Sequence, residues 1–158
     1  MNKFANILTQ RPDLCAEIKG SNAYPAIKGT VNFYKTNLGI IVSAKIQGLP
    51  APRGKCKNPV FAFHIHSGDS CTGSKSDPFR NVMTHLNPKD CPHPYHAGDL
   101  PPLFGAKGFA YSAFLTNRFT LEDIKGKAII IHANADDFTT QPAGNSGNKI
   151  ACGVIKEG

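Results

Sequence analysis

No part of this chain comes near the roughly 18 consecutive apolar residues of a membrane-spanning helix, so no segment is read as crossing a bilayer. The opening residues, MNKFANILTQRPDL, lack the uninterrupted apolar core of a secretory signal, and the protein is therefore expected to remain in the cytoplasm. Acidic residues are scarce, 11 against 18 lysines and arginines, which leaves a formal charge of +7. The basic residues are nonetheless spread singly, with no cluster longer than Arg53-Gly54-Lys55-Cys56-Lys57. There is no aromatic-interleaved basic patch, no zinc-finger spacing and no recognition-helix pattern, so nucleic-acid binding is disfavoured, which leaves a small anionic substrate or a basic surface that serves solubility. Internal repeats and low-complexity segments are missing, and so is any sustained helical period. Histidine is absent from the first 63 residues.

What is present is a chain of 158 residues, one domain by length, with residues 1–14 as an arm without periodicity. Its 15 glycines and 12 prolines, distributed throughout, favour turns over long helices. Alternation begins near Cys15-Ala16-Glu17-Ile18 and breaks at Gly20-Ser21-Asn22. Ile27, Gly29, Val31 and Phe33 then share one face of a strand, and Ile40, Val42, Ala44 and Ile46 share a face of the next. The turn-like Thr36-Asn37-Leu38-Gly39 between them makes a hairpin. Val60 to His66 reads as one strand, with Phe61, Phe63 and Ile65 facing the core and His64 and His66 projecting together from the opposite face. Residues 67–103 carry no regular pattern, and a loop of that length inside a domain is usually functional. Beyond it come a strand over 108–115 and a single helical turn capped at Thr120 and stopped at Gly126. A buried strand from Ala128 to His132 and a last one from Ile150 to Ile155 follow, so the pattern is that of an antiparallel sandwich or barrel.

Five of the six histidines (His64, His66, His85, His93 and His96) fall between residues 61 and 99, with Asp99 three positions after the last of them, and His132 ends the apolar run. Imidazole is the commonest protein ligand for copper and zinc, and metal binding is the simplest physical reason for such bunching.

These segments, taken in order, resemble the copper/zinc superoxide dismutase family. The resemblance is carried by Phe63-His64-Ile65-His66, His85-Leu86-Asn87-Pro88, His96-Ala97-Gly98-Asp99-Leu100 and His132-Ala133-Asn134-Ala135-Asp136-Asp137, and by the run from Gly144 to Ile155. It implies an all-β fold, an eight-stranded antiparallel Greek-key barrel or sandwich with two long functional loops. It implies copper held by His64, His66, His85 and His132, and zinc held by His85, His93, His96 and Asp99, with His85 shared. Asp136 matches an outer carboxylate joining a copper histidine, His64, to a zinc histidine, His93. Cys71 and Cys152 match the family's internal disulfide; for Cys15, Cys56 and Cys91 free thiols are favoured over a second bridge, and their state stays open. The implied substrate is superoxide, dismutated to oxygen and hydrogen peroxide with His85 relaying a proton. Neither a nucleic acid nor a membrane is implied as a partner, and homodimer and monomer stay equally open.

Three departures qualify the match. Lys149 stands where the family has an arginine, so a guiding charge is kept but the planar fork is lost, and turnover is expected to be slower. Only Pro94-Tyr95 separates His93 from His96, which makes these ligands of a tight turn. The loop Phe138 to Ala143 is short and uncharged, leaving anion steering to the general surplus of positive charge. The alternative reading is a superoxide dismutase-like copper- or zinc-binding protein without significant turnover.

Overall fold

A computed structural model of the chain describes residues 6–52, 54 and 59–158. Its strands are β1 (Leu14–Gly20), β2 (Lys28–Thr36), β3 (Gly39–Gln47), β4 (Val60–Phe61), β5 (Phe63–His66), β6 (Leu103–Phe104), β7 (Phe109–Thr116), β8 (Ala128–His132) and β9 (Lys149–Glu157). One helical turn, α1, spans Leu121–Ile124. Thr120 and Asp123 cap it reciprocally, as the sequence predicts.

Seven strands form one antiparallel sheet in the order β5-β8-β9-β1-β2-β3-β7, and β4 pairs with β6 separately. The pairings β3–β7 and β5–β8 join strands distant in sequence, which is the Greek-key crossing. The 60–66 segment, expected as a single strand, is divided at Ala62. There the backbone leaves the ladder: Ala62 N–H donates to the Asn134 carbonyl at 2.7 Å, and His132 N–H donates to the Ala62 carbonyl at 2.9 Å. Counted as one, β4 and β5 restore the eight strands expected. The division also curls the sheet on itself. β4 runs on into the edge strand β5, while an Ala106–Phe109 bridge ties its partner β6 to the other edge strand, β7.

The β2–β3 hairpin pairs Thr36 with Gly39 around Asn37-Leu38, in the register that sets Val31 against Ala44 and Phe33 against Val42. Gly39 supplies the positive φ that this tight turn needs. Phe33, Val42, Phe63, Ile65, Ile129, Ile131 and Ile155 are fully buried in the main core.

Strand β8 explains its own continuous apolar run. Ile129 and Ile131 point into the main core, whereas Ala128 and Ile130 point outward and join Phe79, Val82 and Cys152 in a second apolar cluster. The long 67–102 segment covers that outer face, so a strand that would be half-exposed is buried on both sides. His64 pairs with Ile130 and His66 with Ala128, so both imidazoles share this covered outer face.

Candidate metal centre

The covering segment is held against β5 by backbone bonds that continue its ladder irregularly. Leu86 N–H donates to the Ile65 carbonyl at 2.8 Å, Ile65 N–H to Gly98 at 2.9 Å, and Gly98 N–H to Leu86 at 2.9 Å. Isolated bridges set His64 opposite Asp99 and His66 opposite His85. At the far end of β8, a register shift between Ile131 and His132 turns the last ring toward the same place. The tie to the barrel is covalent as well: Cys71 and Cys152 form a disulfide across 81 residues of sequence. Cys15 and Cys91 are free thiols; Cys56 lies outside the described residues.

The outcome is two buried donor groups, His64-His66-His85-His132 and His85-His93-His96-Asp99, each offering ligand atoms within 4.8 Å of one another. The hydrogen bonds around the first group fix which nitrogen of His64, His66 and His132 is free. His64 Nε2 donates to Asp136 Oδ2 at 2.8 Å, His66 Nδ1 to the Met83 carbonyl at 2.9 Å, and His132 Nδ1 to the Gly147 carbonyl at 3.2 Å. Met83 adopts a positive φ of 65° to aim that carbonyl, a strained backbone of the kind found at functional sites. With those nitrogens protonated, His64 presents Nδ1 as a lone pair, and His66 and His132 present Nε2.

Two consequences follow. His64 Nδ1 and His85 Nε2 are buried without any partner among protein atoms. The Nε2 atoms of His66 and His132 face each other at 3.3 Å, where two lone pairs repel unless a cation is bound to them. The second group has the same character: His85 Nδ1 is 2.8 Å from Asp99 Oδ1, His93 Nδ1 is 3.0 Å from Asp99 Oδ2, and His96 Nδ1 is 3.3 Å from His85 Nδ1. Asp136 spans the two groups, its second oxygen lying 2.8 Å from His93 Nε2. Gly144 makes room for it, since a Cβ there would collide with Asp136 Oδ1 and His93 Nε2.

Electrostatics keep His64, His66, His132 and Asp99 in ligating form. Burial, then the neighbouring imidazole of His85, pushes His64 down to about 2 and His66 well below the ordinary histidine range. Burial brings His132 down to about 4, against the contrary pull of its bond to Gly147. Burial alone would raise the Asp99 carboxyl, but its hydrogen bond with His85 and the charges of His85, His96 and His93 bring it down to about 2. Neutral imidazoles and an ionised carboxylate are what a metal ion requires.

The model of the family described as copper/zinc superoxide dismutase matches residues 27–155. The chain belongs to that family. The copper/zinc superoxide dismutase 2 of Aquifex aeolicus is 32% identical over 159 aligned positions, covering 91% of this chain and 88% of the relative. The copper/zinc enzyme of Deinococcus radiodurans is 34% identical over 149, covering 82% and 78%. A solved superoxide dismutase-like protein from Bacillus subtilis superposes with a TM-score of 0.71 at 27% identity, covering 89% of this chain and 96% of that one. The Cu/Zn superoxide dismutase of Brucella abortus shares the fold at a TM-score of 0.75 and 24% identity, covering 90% and 98%.

The donors suit the family's two metals. A set of imidazoles alone accommodates both copper oxidation states, and three imidazoles with a carboxylate form a closed set for zinc. A cavity of about 330 Å³ opens beside the first group, lined by His66, Met83, His85, His132 and Lys149 among others. Lys149 lines this cavity, and its ammonium is paired: Nζ donates to Asp77 Oδ2 at 2.7 Å. Asp77, Arg118 and Gln141, the last two described below, escaped the sequence reading, because each acts through partners set by the fold rather than through any motif. Among the described residues, no helix is long and apolar enough to cross a membrane.

Proposed function

We propose that this chain dismutates superoxide, with His64, His66, His85 and His132 holding copper and His85, His93, His96 and Asp99 holding zinc. The observation that carries the reading is the pair of buried, unpartnered nitrogens, His64 Nδ1 and His85 Nε2, beside two further lone pairs 3.3 Å apart. Buried polar atoms are almost always paired, and lone pairs of one chemical type converging without a donor are suited to a cation. Bound copper would supply one-electron chemistry that oxidises one superoxide to dioxygen and reduces a second to peroxide, while zinc would contribute a redox-inert positive charge.

The residues do the rest. Asp136 holds the rings of His64 and His93 in one relative orientation through opposite oxygens. His85 keeps its Nδ1 fixed beside Asp99, so Nε2 is the atom that can take up a proton and hand it to the departing peroxide. Solvent supplies the second proton. The role is antioxidant.

The test combines elemental analysis with superoxide decay on one sample. One copper and one zinc per chain, with decay far above the buffer rate, is the expected result. Full copper with negligible turnover defeats the enzymatic reading and leaves a metal-binding protein.

Lys149 is proposed to draw the anion into the cavity, and Asp77 to restrain it. Opposite charges at 2.7 Å with side chains 18% and 39% exposed cancel only part of each other's field. Lys149→Ala is expected to lower kcat/KM about tenfold at low salt, and Asp77→Asn to raise it. Both differences fade as sodium chloride rises past the point where the screening length falls to about 8 Å. Superoxide decay measured across a salt series checks this, and identical salt slopes in all three proteins defeat it.

A further inference from the structure

The turn that carries His93 and His96 is too short to fold on internal bonds. Its own backbone contributes only Tyr95 N–H to Pro92 at 2.8 Å and Asp99 N–H to His96 at 3.3 Å. Polar backbone groups of a segment packed against the barrel still need partners. Two side chains from remote segments provide them.

Gln141, in the loop between Asp136 and Gly144, pairs with the backbone of His93 at both ends of its amide. Its Nε2 donates to the His93 carbonyl at 2.7 Å, and its Oε1 accepts from His93 N–H at 2.9 Å. This is one rung of a β-ladder made by a side chain. Arg118, just past the end of β7, extends Nη1 to three carbonyls of the same turn: Pro94 at 2.9 Å, Asp99 at 3.2 Å and His96 at 3.3 Å. A permanently charged, planar donor suits this convergence, and lysine lacks its geometry. Between them the two side chains grip the backbone of His93, His96 and Asp99, the three residues that complete the second donor group around the shared His85.

We infer that Arg118 and Gln141 are positioning residues that preset the His93–Asp99 turn for zinc, replacing the longer loop this chain lacks. The inference rests on the zinc assignment proposed above. Outer contacts that fix ligand orientation typically change metal affinity 10- to 100-fold, and the grip here is confined to one of the two donor groups. His64, His66 and His132 receive none of these bonds.

The experiment follows zinc release from the full, copper- and zinc-loaded chain into a chromogenic chelator, with retained copper measured on the same samples. Gln141→Ala and Arg118→Met are each expected to release zinc about 10- to 100-fold faster than the parent while keeping their copper. Arg118→Lys should fall between, because its ammonium keeps the charge and the donor hydrogens but ends short of the position that Nη1 occupies. Asp99→Asn serves as the control for the underlying assignment. If it loses zinc while the Gln141 and Arg118 variants release it at the parental rate, the positioning role is overturned and the zinc site stands. If Asp99→Asn holds zinc as the parent does, the zinc assignment itself falls, and the inference with it. Loss of both metals together, or of the fold, in the Gln141 and Arg118 variants marks a general structural role and also overturns the proposal.

Discussion

His85→Ala is expected to cut superoxide turnover at least about a hundredfold and to lower zinc content in the same protein. No other side chain belongs to both donor groups. Its Nε2 is one of the two unpartnered buried nitrogens, and its Nδ1 is 2.8 Å from Asp99 Oδ1 and 3.3 Å from His96 Nδ1. Removing the ring therefore takes a donor from each site at once and leaves the Asp99 carboxylate short of a neighbour in a buried place. It also removes the atom proposed to deliver a proton, a role worth about 10² to 10⁴ in rate when a positioned acid or base is lost. Losses at a centre acting as a unit do not add, so His64→Ala should be comparably inactive, and the double variant little worse. The measurement is superoxide decay per bound copper, with both metals quantified. An His85→Ala protein that holds full copper and retains half the parental rate would show that this imidazole does not relay the proton.

Breaking the Cys71–Cys152 bond is expected to cause the largest loss of stability available to a single substitution outside the metal ligands. The bond closes a span of 81 residues, for which the chain-entropy relation gives about 4–5 kcal/mol. The span contains most of the irregular covering segment, whose own regular secondary structure is limited to a 3₁₀ turn at Arg80–Val82. Unfastened, that segment still packs Phe79 and Val82 on the outer face of β8 and keeps its backbone bonds to Phe63, Ile65 and Ala128 and the Asp77–Lys149 pair. Cys71 is partly exposed, so Cys71→Ser tests the covalent link without placing a hydroxyl in the apolar cluster that surrounds Cys152. At about 2–4 °C per kcal/mol for a chain of this size, the midpoint of thermal unfolding should fall by roughly 8–20 °C. Treating the parent with reductant should reproduce the shift. A change of less than about 2 °C in both experiments, against that scale, would show that metal binding and packing hold the segment without the bond.

Much of the architecture was legible in residue order. The alternation through Val31 and Phe33, and through Val42 and Ala44, placed two strands and their hairpin because side-chain direction along a strand is a local property. The Thr120–Asp123 cap was equally local. The division of the 60–66 strand was not: Ala62 leaves the ladder because of backbone bonds to Asn134 and His132, some 70 residues further on. The expected proximity of His64 and His66 is found, with ring centres 6.5 Å apart. Lys149 was read as a guiding charge from its place in the motif, and its partner Asp77 is 72 residues away, in a segment without periodicity. The loop at 138–143, read as merely short and uncharged, contains the amide that grips His93.

The amino-acid order by itself determined the chemistry of the donors, their sequence along the chain and the strands that bear two of them, because residue type and alternation are fixed before folding. Only the tertiary structure decided which nitrogen of each ring is left open. That choice depends on the Met83 and Gly147 carbonyls and the Asp136 carboxylate. Those acceptors are aimed by backbone geometry and remote packing, which no pattern of residue types encodes.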